Sequence, residues 1–135
     1  GSMIGSAEAA RATPDGYTLL LGNSTNQVLN PRLMRSPPFD PATDFVAVAI
    51  LTKIPNAIAV HPSLPVRNLE QLAEYARANP GKLSYGSAGV GTMTHLSGEL
   101  FKKLAGGLDM VHVPYRGGTP GIADITSGTV PVISL

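Results

Sequence analysis

The sequence predicts an α/β protein built on a parallel sheet with helices on its faces, and three observations carry that expectation. From residue 57 onward, short apolar runs alternate with amphipathic ones in the order β-α-β-α-β-α-β, the pattern of parallel strands joined by helical crossovers. The run "YTLLLG" at 17–22 is continuously apolar, as strands buried on both faces tend to be. Two strand–glycine–helix junctions, "YGSAGVGT" at 85–92 and "VPYRGGTP" at 113–120, recur one unit apart.

Each element has its own signal. Ile4 to Ala12 is short and alanine-rich, the end of a helix. "TPDG" at 13–16 is a turn, with Pro14 presetting φ and Gly16 supplying a positive one. "YTLLLG" then reads as a buried strand. Residues 23–44 are polar and carry four prolines, so they read as loop with one helical turn. Two apolar runs follow, Phe45–Leu51 and Ala57–Val60, separated by "TKIPN".

Asn68 to Asn79 is the clearest helix. Asn68 caps it, Gln71 stands at the capping-box position, and Leu69, Leu72, Ala73 and Ala76 form one apolar stripe. "KLSYGS" is a short strand leading into the glycine loop. The next helix begins near Thr92, with an apolar face of Met93, Leu96, Leu100, Phe101 and Leu104. Lys102 and Lys103 suit its last turn, and Gly106-Gly107 stop it. "MVHV" is a strand and "PYRGG" a loop. Thr119 and Pro120 then read as cap and first residue of a third helix ending at Gly128.

Composition narrows the functional classes. Of the residues, 43% are apolar and only 14% charged, which describes a folded chain. Net charge is +1 with no basic stripe, which argues against a nucleic-acid partner. There is no cysteine, so disulfides, thiol catalysis and Cys-type metal sites are excluded together. The most apolar stretch, "FVAVAILTKIPNAIAV", is broken by Lys53, Pro55 and Asn56 well short of the ~20 residues a membrane span needs. The opening "GSM" resembles an expression-tag remnant, and Gly1 to Met3 are set aside as one. "TSGTVPVISL" stops inside a predicted strand, so the chain reads as a piece of a longer one.

The glycine loop is the leading candidate site. Small residues let a backbone approach a ligand, and the unpaired amides of a helix's first turn favour an anion. Gly86 and Gly91 have the spacing of a triphosphate loop, but Thr92 stands where its lysine belongs. Gly89-Val90-Gly91 begins a dinucleotide fingerprint, yet Thr94 fills the third glycine position. A carboxylate accepts several neutral donors without a countercharge, and the hydroxyls of Ser87, Thr92 and Thr94 add to the amides. By itself the loop is equally a tight turn between strand and helix. The second junction strengthens the binding reading, because loops at the carboxyl ends of parallel strands gather around one crevice. The candidate ligand-binding residues are therefore Ser87, Ala88, Gly89, Val90, Gly91 and Thr92, with Tyr115, Arg116 and Gly117 from the second loop and Ser24 after "YTLLLG".

Catalytic and metal sites are not expected. His61, His95 and His112 lack ligand spacing and an acidic neighbour, so a metal is not predicted. No serine lies in G-x-S-x-G and no carboxylates pair for acid–base work. No cofactor is implied. His95 reads as packing or as a hydrogen-bond partner behind the loop. The competing classes are an enzyme domain holding a phosphorylated substrate in the glycine loop, and a structural module whose glycines only make turns.

Five blocks in order, "PDGYTLLLG", "NP" at 30–31, "PFDPATDFVAVAI", "NPGKLSYGSAGVGTMTHLSGELFK" and "DMVHVPYRGGTPGIADITSG", resemble the receptor proteins of tripartite tricarboxylate transporters, the TctC or Bug family. The resemblance runs from Ile4 to about Val132. It implies a periplasmic solute-binding protein with a two-lobe, type II periplasmic-binding-protein fold. Such a receptor captures a small organic acid and passes it to membrane permease subunits. It further implies that Ser87–Thr92 holds a carboxylate, that "PYRGG" and the segment after "YTLLLG" line the same cleft, and that a second carboxylate loop of the family is missing here. On this basis residues 4–51 are part of lobe one and 52–135 most of lobe two, with the hinge near 51–56. Pro131 departs from the family pattern and suggests an edge strand or altered pairing. A partial lobe is expected to self-associate and to bind its ligand weakly.

Overall fold

A computed structural model describes residues 3–135; Gly1 and Ser2, two of the three residues set aside as a tag remnant, lie outside the described residues. The chain divides into two compact units that meet in sequence at Ile54 and Pro55.

The first unit is held by few contacts. Helix α1 (Met3–Arg11) is followed, after a long extended segment, by a wide π-helical turn (Thr25–Leu29) that runs into the short α2 (Asn30–Leu33). Asn26 is buried and joins these pieces. Its Oδ1 accepts from the Asn23 amide at 2.8 Å, and its Nδ2 donates to the buried Ser6 Oγ at 3.2 Å. Phe39 packs edge-to-face on Phe45 with ring centroids 5.5 Å apart.

One expected strand does not form here. "YTLLLG" pairs with no strand, with Tyr17 93% and Leu19 79% exposed, and Phe45–Leu51 is likewise unpaired with Val46 91% exposed. An apolar extended segment becomes a strand only when a neighbour takes up its backbone hydrogen bonds. Among the described residues this unit holds no such neighbour.

The second unit carries the sheet. Its order is β1 (Ile58–Val60), α3 (Leu69–Ala78), β2 (Leu83–Ser87), α4 (Met93–Leu104), β3 (Met110–Pro114), α5 (Gly118–Ser127) and β4 (Val132–Ser134). The strands lie in the order β1-β4-β2-β3. β2 is parallel to both β3 and β4, with Tyr85 opposite His112 and Val132. β1 runs antiparallel to β4, pairing Ile58 with Ser134, so the sheet is mixed where an all-parallel one was expected. Apolar runs alternate with helices in the same way whichever direction the first strand takes. Pro131 also resolves differently from the expectation. β4 sits inside the sheet, and Pro131 stands just before its ladder, where a missing N–H costs nothing and its carbonyl accepts from the His61 amide at 2.9 Å.

Helices α3 and α4 cover one face of the sheet. Leu72, Ala73 and Ala76 of α3 are buried against Leu83, Tyr85, Met110 and Val132, so three of the four residues of the predicted stripe reach the core. Asn68 Oδ1 accepts from the Gln71 amide at 2.9 Å, and Gln71 Oε1 returns a bond to the Arg67 amide at 2.8 Å, one residue before the cap. On the opposite face, Gly121 of α5 lies against Ile133 and Tyr115.

Of the apolar face expected for α4, Phe101 packs against the core while Leu100 and Leu104 stay exposed. Gly98 is the residue of closest approach, and a Cβ there would lie 2.3 Å from Tyr85 Cε2. Leu104 is 78% exposed, and Leu100 lines an open groove of about 640 Å³ between α3 and α4 together with Leu69. The contact that decides the helix's orientation is a ring seated on a glycine, which a count of apolar residues does not register.

Two substitutions test this account. Asn68→Ala removes the cap of α3 and is expected to lower stability by about 1 kcal/mol in urea unfolding followed by far-UV circular dichroism. Gly98→Ala gains about 1 kcal/mol of helix propensity, while overpacking a filled site costs about 1–3 kcal/mol. A net loss of about 1 kcal/mol is expected, and a stability gain would show that the Tyr85 ring moves freely.

Candidate functional site

The two glycine junctions are joined by backbone hydrogen bonds at the carboxyl ends of β2 and β3. The Tyr115 amide donates to the Ser87 carbonyl at 2.9 Å, and the Gly117 amide donates to the Ala88 carbonyl at 3.1 Å. Ser87–Thr92 and Tyr115–Gly117, nominated separately from sequence, therefore form one surface. Ser24 belongs to the other unit, where it is exposed and precedes the wide helical turn.

The first loop is largely closed on itself. The Ala88 amide donates to Thr94 Oγ1 at 3.0 Å, the Gly89 amide to Ser87 Oγ at 3.2 Å, and the Gly91 amide to His95 Nδ1 at 3.3 Å. The Thr92 amide donates to the Gly89 carbonyl, which also accepts from Thr92 Oγ1 at 2.6 Å. Thr92 Oγ1 in turn accepts from the His95 amide and so caps α4. The expectation of a row of free amides is thus corrected. Hydroxyls and an imidazole take up those donors, since buried or half-buried N–H groups left unpaired are costly. The Val90 amide has no partner among the described residues, and Val90 is 74% exposed.

Gly89 must be glycine on two counts. Its φ is +130°, and a Cβ would lie 3.0 Å from the Tyr115 carbonyl oxygen, which belongs to the neighbouring loop's backbone. A side chain here would separate the two junctions.

The open helix terminus lies in the second loop. α5 starts at Gly118 with Gly117 at the cap position, two residues before the expected Thr119–Pro120 start. Gly117 has no side chain to cap with, and no side-chain cap bond is made. The first-turn amides of Gly118 and Thr119 therefore face outward with the positive end of the helix dipole. Arg116 beside them is exposed and in no ion pair among the described residues. Tyr115 is tied down beneath, its hydroxyl donating to Asp124 Oδ2 at 2.6 Å. Burial, and then the Asp124 carboxylate, push that phenol up to about 12.

Behind the first loop lies a stack that sequence reading did not assemble. The His112 ring stacks on Tyr85, with centroids 4.9 Å apart, and on His95 at 4.2 Å. Its Nε2 is 2.7 Å from Ser87 Oγ. The Tyr85 hydroxyl donates to Glu99 Oε1 at 2.6 Å, and Lys102 pairs with the same carboxylate at 2.9 Å. Burial would raise Glu99, but the bonds from Tyr85 and Lys102 outweigh it and hold the carboxyl below its ordinary value. Tyr85 is pushed up by burial and then by Glu99. The parallel register places Tyr85 beside His112, and no sequence pattern encodes that register.

Ser87 and His112 have the spacing of a nucleophile and its base. Ser87 is 1% exposed, however, and its hydroxyl is spent between His112 and the Gly89 amide, so no substrate carbonyl reaches it. The pair builds the loop. Among the described residues no cluster of His, Asp, Glu or Cys is arranged to hold a metal ion, and no helix is long and apolar enough to cross a membrane.

Comparison with known proteins gives the family. A relative from Bordetella pertussis, described as a UPF0065 protein, is 37% identical over 132 residues, which is 98% of this chain and 40% of the relative. The chain thus spans less than half the length of that relative. A solved structure described as a periplasmic transporter superposes with a TM-score of 0.89 at 41% identity, over 99% of this chain and 45% of the other. The structure of R. palustris Rpa4515 with adipate gives a TM-score of 0.86 at 37% identity, over 96% and 43%. The family described as "Tripartite tricarboxylate transporter family receptor" matches residues 1–135 in full, and the chain belongs to that family.

Proposed function

We propose that this chain supplies one carboxylate-binding wall of a periplasmic receptor for small organic acids. The observation that carries the reading is the juxtaposition of the Ser87–Thr92 loop with the uncapped first turn of α5, joined through the Gly117 amide and Ala88 carbonyl. A carboxylate there accepts from the amides of Val90, Gly118 and Thr119, and the helix dipole adds a favourable fixed field. Arg116 supplies an exposed positive charge at the rim. Adipate bound to a relative of the same family and fold supports a dicarboxylic or similar acid as the ligand.

In this reading residues 4–51 belong to one lobe of a two-lobe receptor and 52–135 form most of the second. The receptor acts in the periplasm, hands its ligand to the membrane subunits of a tripartite transporter, and carries out no chemistry. One wall by itself is expected to hold an acid weakly.

Three measurements test the reading. Titrating the ¹⁵N-labelled chain with adipate, ATP or NAD is expected to move the Val90, Gly118 and Thr119 amides with adipate alone. Movement with ATP or NAD and with no acid would return the loop to the phosphorylated-substrate reading. Gly89→Ala forces a non-glycine residue into a strained conformation costing about 1–3 kcal/mol, and is expected to weaken adipate binding by roughly tenfold, about 1.4 kcal/mol. The exposed apolar runs at 17–21 and 46–51 are expected to bring copies of the chain together. Light scattering that finds a monomer at high concentration would count against that last expectation.

A further inference from the structure

The glycine loop is held by two imidazole nitrogens, and the contacts around each favour the acceptor role. His95 Nδ1 is approached by the Gly91 amide, which can only donate, so that nitrogen carries no proton. The assignment at His112 follows from counting protons around Ser87. Ser87 Oγ accepts from the Gly89 amide and has one hydrogen of its own. Its alternative acceptor, the Gly89 carbonyl, is 3.4 Å away and already receives the Thr92 hydroxyl at 2.6 Å. The Ser87 hydrogen therefore goes to His112 Nε2 at 2.7 Å, and that nitrogen is also unprotonated. The two rings are neutral in opposite tautomers, His95 with its proton on Nε2 and His112 on Nδ1.

We infer that His95 and His112 form a proton-operated latch beneath the carboxylate loop, one that holds the loop in its binding form only while both rings are neutral. Protonating His95 sets an Nδ1–H against the Gly91 N–H, two donors facing each other. Protonating His112 turns Nε2 into a donor toward Ser87 Oγ, and the Ser87 hydrogen must then compete with Thr92 for the Gly89 carbonyl. Both changes act on glycines of the loop, and Gly89 is where the two junctions meet. The inference rests on the carboxylate reading for its meaning: acidification loosens the wall and favours release of the acid.

The surroundings favour the neutral state of His112. The titratable groups facing the stack are Tyr85 from β2 and His95, Glu99 and Lys102 from α4. Tyr115 and Asp124 pair with each other on the α5 side. Burial first, then His95, lower His112 below its ordinary value; Glu99 opposes this and Lys102 adds to it. A histidine depressed in the folded state contributes stability that is full above its unfolded value near 6.5 and is lost as pH falls through the lower folded one.

Nitrogen NMR of the chain with labelled histidine tests the latch without any ligand. At pH 8 the shifts are expected to show His112 Nε2 and His95 Nδ1 both unprotonated. On acidification from pH 8 the Gly89 amide is expected to shift together with the ring signals of His112, and the Gly91 amide together with those of His95. His95→Gln places a carbonyl that can accept the Gly91 amide and cannot titrate, so Gly91 should fall silent while Gly89 still follows His112. Ser87→Ala should uncouple Gly89 in the same way. Either ring in the opposite tautomer at pH 8, or loop amides indifferent to both titrations, overturns the inference. The tautomer readout needs no variant to fold. None of these readouts uses a carboxylate, so failure here is distinct from failure of the binding reading.

Discussion

The Tyr85 ring seated beneath Gly98 is the contact from which the functional part of the second unit is built. Gly98 lets α4 descend onto β2 further than any other residue would allow. Once there, the ring does three things. It fills the core between α3 and α4, it stacks on His112, and its hydroxyl fixes Glu99. The descent of α4 also sets where its first turn begins, and so where Thr92, Thr94 and His95 meet the loop. A helix held further from the sheet by a methyl group would carry those three partners away from Ala88, Gly89 and Gly91.

That geometry explains how the loop's own residues close its hydrogen bonds. Four of its amides are occupied by hydroxyls, an imidazole and a carbonyl of the same surface. A loop with free amides would have to be ordered by its ligand, and the ordering would subtract from affinity. Here the internal partners impose the shape, and only a few donors are left outward. The asymmetry between the helices follows. α4 is capped by Thr92 and presents a finished surface, while α5 starts on a glycine and leaves its first turn open. The first junction is closed by its own hydrogen bonds and the second leaves a helix start uncapped.

The first unit shows the converse. Its apolar segments have the composition of strands, yet they remain extended and exposed, because burial on a sheet needs a second backbone to pair with. Asn26 and Ser6 hold what order there is through polar contacts. The family's chains run more than twice as long as the span matched here. Strand propensity and strand formation are different quantities, and the difference is a partner.

By itself the sequence determined the local elements of the second unit. Asn68 with Gln71, Thr92 with its helix, and the stops at Gly106 and Gly128 are short-range features, decided by hydrogen bonds and φ angles within a few residues. The two glycine junctions were legible for the same reason, and their residue order carried the family. Tertiary structure alone decided the antiparallel entry of β1, the interior place of β4 despite Pro131, and the use of the His95–Gly98–Lys102 side of α4 in place of its leucines. It also decided that the two glycine junctions meet and that Tyr85, His112 and His95 form one stack. Each depends on which strands become neighbours and in what register. Those choices are settled by contacts between residues 13 to 76 positions apart, from Tyr85–Gly98 to Ile58–Ser134, and no local pattern records them.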